Sequence, residues 1–523
     1  MNIILFYINI ISYCFVRKNI DIKKLVFSYL FSFVTCCCIN LLKYEVFNIS
    51  FLLKNILLSF HFIFIIYFIL SLLEYGLKKF YSKKIIKIDD KKFFLISFII
   101  ILFGWVLVFL AYYPGIFGYD VVNQINQAQF HDYSTYQPLL HTLILNFFYN
   151  LNLENHTLGI AIYNVVQMIV FALKISFELL FVYRITKSKV NYLYLFWFSL
   201  LPIFSILSIS VTKDIYFTSF FILFITLICY FIEDKKNLSN NYYNFLFVLS
   251  SVMVALFRNN GLYVVFIGHL FYMLLSKNKK IIFLCLISFL LICISNSLLI
   301  FFTSSKIGSK KEALSIPFQQ IARVYNYEDI SNKEKNTIEK VIPSVKRYRS
   351  EISDPVKSSV KKEFINNDFI KLYITLFIKY PNRYIEAFIH NNMGYLYVFD
   401  TTNSRIYGYG LDNRQGYLLT DIKEGYSVYH ISYFKQLEKK YELLFSANKY
   451  QYNLITLLLC SFSLYLWLLF YYMSKLKLKD NVQNIYIILY ILTMLLGPCA
   501  LIRYSLPYIS ILPIIITLNY KKI

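Results

Sequence analysis

Apolar runs of about 20 residues recur along this chain, and the short connections between them are alternately basic and not. A helix of that length matches the ~30 Å hydrocarbon core of a bilayer. The repetition therefore reads as an all-α polytopic membrane protein rather than a soluble enzyme. The composition agrees, with 58% hydrophobic, 20% aromatic and only 16% charged residues. Spans are expected near Ile3 to Val16, Leu25 to Leu42, Phe51 to Leu73, Phe93 to Tyr113, Leu158 to Tyr183, Tyr192 to Ile209, Ile215 to Ile232, Tyr243 to Phe257, Leu262 to Leu275, Ile281 to Phe302, Tyr452 to Met473, Asn484 to Cys499 and Tyr504 to Leu518. That is about 13 transmembrane helices on a hydropathy criterion.

Sidedness follows from the connections, because Lys and Arg are retained on the cytoplasmic side. Arg17 to Lys24, Lys78 to Lys92, Arg184 to Lys189, Lys235 with Lys236, Lys277 to Lys280, Lys475 to Lys479 and Lys521 with Lys522 mark the inside loops. The alternation holds if Pro138 to Asn152 is an interfacial helix rather than a span. The N-terminus is then outside and the C-terminus cytoplasmic. The formal charge of +24 is strung between apolar runs, so it reads as a topology signal and not as a nucleic-acid surface. The nine cysteines fall in apolar segments with no CxxC pair, and the large polar region has none, which suits an exported region of a bacterial plasma-membrane protein. No cleavable signal peptide is expected, since the first run lacks a basic lead and a small-residue cleavage site.

Four regions follow: 1–92, three N-terminal helices and a basic cytoplasmic loop; 93–302, a transmembrane core with an outer loop at 112–157; 303–450, a mostly helical extracytoplasmic domain; and 451–523, three C-terminal helices. In the third, Lys333 to Lys340 and Val356 to Asn366 read as solvated helices. Phe364 to His390 reads as amphipathic with a start or break at Pro381, and Tyr395 to Tyr417 as loop.

The outward connections hold the charges that stand out. Asp120 follows Pro114-Gly115 just beyond a span; a carboxylate at the water–lipid boundary is a candidate general base, or equally a helix cap. After it, Asn123, Gln124 and Gln127 sit among Val122, Ile125 and Ala128, an amide-rich face suited to sugar hydroxyls. His141 closes the stretch as a catalytic candidate or a structural histidine. Lys213-Asp214 reads as a second acid with its cation, or as a helix-start pair favoured by the macrodipole. Arg258 with Asn259 in a tight turn at Gly261, and Arg503 before Pro507 and Pro513, are outward cations for a phosphate or snorkelling arginines. Gln319, in SIPFQQ, is a substrate-contact candidate or part of a helix start.

YPGIFGYD followed by YQPLLH resembles bacterial membrane proteins of unknown function in which a YPG...YD element precedes an HPxxHT-type element. Those are similar to the GT-C superfamily of membrane glycosyltransferases, including protein O-mannosyltransferases and aminoarabinose transferases. The resemblance covers mainly Phe93 to Phe302. It implies a GT-C-like fold, with Asp120 as base, Gln137 to His141 as the later element and Asp214 as a second acidic residue. With the residues read above, the expected catalytic set is Asp120, Asp214 and His141, and Tyr119, Asn123, Gln124, Gln127, Gln137, Lys213, Arg258, Asn259, Gln319 and Arg503 are expected around the substrates. Gln137 stands where the pattern has its first His, and the acidic residue that often neighbours the base is missing. No cofactor is fixed, and a divalent metal stays open. The implied activity is transfer of a sugar from a polyprenyl-phosphate donor to an envelope glycan, lipid or protein acceptor, with membrane lipids as surroundings and no nucleic acid. An envelope polysaccharide polymerase or ligase, using Arg323, Arg383 and Arg405, and a lipid-linked glycan flippase are the alternatives. No P-loop, GxGxxG, GxSxG or HExxH occurs.

Overall fold

Asp89 accepts hydrogen bonds from the backbone of Lys91 and Lys92, and from that cap the apolar run continues as one helix, Asp90–Ala111, until Tyr112 and Pro114 stop it. The same logic builds most of the chain in this computed structural model, which describes residues 9–10, 12–14, 20–44, 47–85, 87–117, 119–152, 155–308, 310–399, 428–445, 461–478 and 481–521. Among these, six helices are long and apolar enough to cross a membrane: Ile22–Lys43, Asp90–Ala111, Thr157–Thr186, Lys213–Glu233, Lys279–Thr303 and Ile502–Tyr520. Two further pairs are each bent at a short break, Ser50–Ser59 with Ile63–Ser82 by 47° and Val190–Leu200 with Pro202–Ser208 by 49°. Pro202 explains the second bend, because its ring cannot continue the preceding helix. The molecule is all-α, with six such helices among the described residues, or up to eight if each bent pair is one span. That is consistent with a multi-pass membrane protein. The expected runs at 243–257 and 484–499 are the shorter helices Asn241–Phe257 and Gln483–Leu495. Leu139–Tyr149 has 11 residues, about 16 Å of helix, half of what a bilayer needs. The first expected span and the start of the one at Tyr452 fall mainly outside the described residues.

Lys213–Glu233 is the central helix. Phe217, Phe221, Phe224 and Ile228 are all fully buried, against Thr157–Thr186 on one side and Asn241–Phe257 on another. Whatever stands at its ends is thereby held inside the bundle. At one end five basic connections meet: Lys84 reaches the Thr186 carbonyl, Arg184 pairs with Asp90 at 2.8 Å, Lys521 pairs with Glu233 at 2.6 Å, and Lys24 and Lys475 share Glu74. At the other end lies the loop region that carries Asp120.

The region expected to be the outer domain has its own core of Phe318, Ile321, Val324, Ile338, Val356, Leu376 and Tyr384. Asn332–Val341 opens on a capping box, Ser331 with Glu334, and Pro381 begins Pro381–Asn391 at its first turn. Val356 to Asn366, expected as one helix, is instead two short turns, Asp354–Lys357 and Lys362–Phe364. The reason is competition for its backbone: Ser344 bonds the Pro355 carbonyl and Ser359, and the Lys361 amide donates to Val341. The domain docks through Ser353 N–H on the Pro498 carbonyl at 2.9 Å, Asn391 on Gly497 at 3.1 Å and Asn392 on Leu495 at 3.0 Å.

Candidate functional site

Two loops that are far apart in sequence are joined by the smallest possible sheet. β1 (Ile116–Phe117) pairs in parallel with β2 (Ser210–Val211), Ile116 opposite Ser210. Asp120 lies four residues past the start of β1 and Lys213 three past the start of β2, so the ladder places the two side chains together. The turn before β1 needs glycine. Gly115 has φ +136°, and a Cβ there would stand 1.9 Å from Asn164 Nδ2 and 2.8 Å from the Ile209 carbonyl oxygen. Asn164 Nδ2 donates to the Pro114 carbonyl at 2.7 Å.

Asp120 begins the Tyr119–Gln129 helix. Its Oδ2 meets Lys213 Nζ at 3.0 Å and Arg503 Nη1 at 3.5 Å, and its Oδ1 accepts from Gln137 Nε2 at 3.2 Å. Lys213 also donates to the Gln137 side-chain oxygen, closing a triangle. Asp214, at the start of the central helix, is 1% exposed and meets Arg258 at 3.2 Å and Arg503 Nε at 3.6 Å. Arg503 thus spans the two carboxylates. Tyr504 sits under both guanidinium groups, 4.5 Å from Arg258 and 5.1 Å from Arg503, and Arg258 donates to Tyr490 OH at 3.2 Å. Gly261 lets the Arg258 turn close, since a Cβ would fall 2.2 Å from the Val254 carbonyl oxygen.

Three cations face two carboxylates here, and the Asp120 side chain is 24% exposed while Asp214 is shut in. Burial alone would raise the Asp120 carboxyl, but the Lys213 ammonium, the Arg503 guanidinium and the Gln137 amide outweigh it and hold the group well below the usual carboxylate range. The surplus positive charge suits an anion. Among the described residues, no group of three or more His, Cys, Asp or Glu is arranged to hold a metal ion.

Behind this cluster lies a neutral relay. His141 Nδ1 is 3.0 Å from Gln124 Oε1 and its Nε2 2.8 Å from Tyr163 OH; Tyr163 donates to Gln167, whose amide reaches the Ser208 and Ser210 carbonyls next to β2. Burial first, then Lys213, pushes the His141 imidazole down to about 3, so it stays neutral and positions the loop.

The structure therefore brings together Asp120, Asp214, Gln137, Lys213, Arg258 and Arg503, with His141 one layer behind. Gln124 and Gln127 are buried and knit the loop: Gln124 bonds Thr142 and His141, and Gln127 bonds Asn123 and the Ser134 amide. Asn123 alone of the three is exposed. Asn259 ties the Thr135 and Tyr136 carbonyls. Gln319 stands apart, its amide given to the carbonyls of Arg349, Ser350 and Ile352. The Tyr119 side chain and Arg405 lie outside the described residues. Tyr504 reads from the sequence only as a neighbour of Arg503 that lines a lipid groove, and sequence reasoning missed Tyr490, which sits on a different helix, Gln483–Leu495. It also missed Tyr163 and Gln167, one turn apart on the Thr157–Thr186 helix.

A profile for a family of unknown function (DUF6020) matches residues 133–522. The matched stretch starts after Asp120 and includes Lys213, Asp214, Arg258 and Arg503. No curated protein and no solved structure matches the chain.

Proposed function

We propose a function for this chain, which belongs to that family of unknown function: it is a GT-C-type glycosyltransferase of about 13 spans in a bacterial plasma membrane, with its N-terminus outside and its C-terminus in the cytoplasm. It moves a sugar from a polyprenyl-phosphate donor to an envelope acceptor at the outer face. The observation that carries this reading is a cluster in which an accessible carboxylate, Asp120, meets Lys213 and Arg503, while Arg503 and Arg258 hold the buried Asp214 beside it, at the end of the bundle opposite the basic connections.

In that reaction the acceptor hydroxyl gives its proton to Asp120, and its oxygen bonds the anomeric carbon. The bond from that carbon to the phosphate oxygen breaks, and the electron pair leaves with the polyprenyl phosphate, inverting the centre. The cations stabilise the departing phosphate, and guanidinium groups make paired bonds to it. At rest Asp120 is held by Lys213 and Arg503, too weak a base for the task. A phosphate that draws those cations away raises its proton affinity, so the base is released where the leaving group is bound.

Arg323 and Arg383, the arginines on which a polymerase or ligase reading leans, are both taken up by Glu386, at 2.7 Å and 2.9 Å. The deciding experiment is mass spectrometry of envelope glycans from cells with the wild-type chain, without it, and with Asp120→Asn inserted at wild-type level. Loss of one glycan in the last two supports the reading, and an unchanged glycan in the Asp120→Asn cells overturns the base assignment.

A further inference from the structure

The outer helix Asn367–Lys379 has three faces where a solvated helix on a domain surface has two. At ~100° per residue, Phe369, Leu372, Tyr373 and Leu376 form one stripe, and they pack on the outer-domain core. Asp368, Lys371, Thr375 and Lys379 form a second, exposed and polar. Between them runs a third stripe that is exposed yet wholly apolar: Ile370, Ile374, Phe377 and Ile378, the last 74% exposed. Water on that stripe is unfavourable, at about 25 cal/mol per Å², and four neighbouring large side chains are more than scattered exposure explains.

The position of the stripe says what covers it. Its Phe377 packs on Tyr384 of the next helix, Pro381–Asn391, at 5.3 Å, and that helix exposes Ile385 beside Tyr384 and carries Ile389 one turn on. Ile389 packs on Cys37, Leu41, Phe51 and Met393, where Ile22–Tyr44 ends and the helix after it, Ile49–Ser59, begins. Those helices turn Leu42 and Leu53 to their surroundings, so one apolar surface runs from them onto the outer domain. Glu386 accepts from the Phe47 amide between the two helices, and Asn391 and Asn392 bond the Gly497 and Leu495 carbonyls at the end of Gln483–Leu495. This ties the outer helices to the level at which the bundle helices end. Lys371 flanks the stripe on the polar side, as expected beside lipid phosphates.

We propose that Asn367–Lys379 lies in the headgroup layer of the bilayer that the bundle crosses, with Ile370, Ile374, Phe377 and Ile378 in the acyl boundary. The occupant is lipid, on the leaflet that faces the Asp120 cluster. The outer domain then rests on the membrane beside the site instead of standing above it. This inference is independent of the chemistry at Asp120.

The test uses the full chain in lipid nanodiscs, with Cys14, Cys293 and Cys460 replaced by Ser and one spin label introduced at a time through Ile374→Cys, Ile378→Cys, Lys371→Cys or Thr375→Cys. Relaxation by dissolved oxygen and by a water-soluble nickel chelate is measured at each. Labels at 374 and 378 are expected to favour oxygen at least several-fold, and those at 371 and 375 the chelate. Equal chelate access at all four positions overturns the proposal. So does shielding of 374 and 378 from both reagents, which assigns the stripe to a second copy or another protein. Ile370→Cys supplies a further reading should Ile378→Cys accumulate poorly.

Discussion

The cluster at Asp120 and the cluster at Glu386 are made of the same kinds of side chain and reach different end states. In the outer domain, Arg323 and Glu386 are 0% and 1% exposed, and Glu386 takes Arg323, Arg383 and the Phe47 amide. Arg383 also holds Glu328 at 2.7 Å, so two cations meet two carboxylates. At the bundle end three cations meet two carboxylates, and one carboxylate is open to its surroundings. A balanced cluster has nothing left to offer a ligand, and taking Glu386 out of it strands a buried charge. A cluster with charge to spare is already part of the way to holding an anion. The pairing count separates scaffold from site, since exposure does not: Glu328 is 28% exposed and Asp120 24%.

Several substitutions break or sharpen that contrast. The largest effect is expected for Asp120→Asn, which should lower sugar transfer by ~10²–10⁴-fold with insertion unchanged, read in a membrane transfer assay. Glu386→Ala should do the reverse: a loss of ~3–5 kcal/mol from the outer domain, seen as earlier thermal unfolding and protease cleavage between residues 315 and 391. If Glu386→Ala instead spares stability and abolishes transfer, the contrast collapses. Gly115→Ala tests the ladder. It forces a side chain into a left-handed turn already filled by Asn164, and should cost ~1–3 kcal/mol, with transfer falling as Asp120 and Lys213 drift apart. Arg258→Lys keeps the charge but loses the flat stacking on Tyr504, and should lower transfer by about 10-fold.

The smallest effects are in the pH dependence. Asp120 is depressed in the folded chain, so its contribution to stability is complete above the ordinary value of 3.8 and is lost as pH falls further. Asp120→Asn should lower the melting temperature of the purified chain by the same amount at every pH between about 5 and 8, leaving the pH dependence there unchanged. His390 is the opposite case. Burial first, and then Arg323, pushes its imidazole down to about 3 from 6.5, so the unfolded chain takes up the proton first and stability drops as pH is lowered through that window. His390→Gln should flatten that part of the curve.

Much of this was legible in the sequence. Charged residues collect in the connections because charge costs most inside lipid, and the ones that break the apolar runs at the end of the bundle away from the basic connections, Asp120, Lys213, Asp214, Arg258 and Arg503, are the ones that meet. What was not legible has one physical cause. In a membrane bundle the lipid face and the packed face are both apolar, so periodicity does not say which side of a helix is inside. Glu178, fully buried in Thr157–Thr186, went unnoticed for that reason. The amides of Gln124 and Gln127 were assigned to a substrate-facing side, while the structure turns both inward. The Arg323–Glu386 pair is 63 residues apart in sequence, with no spacing rule to announce it.

The ladder between β1 and β2 acts as a common datum for two loops. Both Asp120 and Lys213 are measured from it, over four residues on one side and three on the other, with no slack to absorb an error. One residue inserted between Ile116 and Asp120, or between Ser210 and Lys213, shifts one partner by about 3.3 Å, more than the 3.0 Å that now separates the charges. Length in these two short stretches is therefore as constrained as the identity of the charged residues.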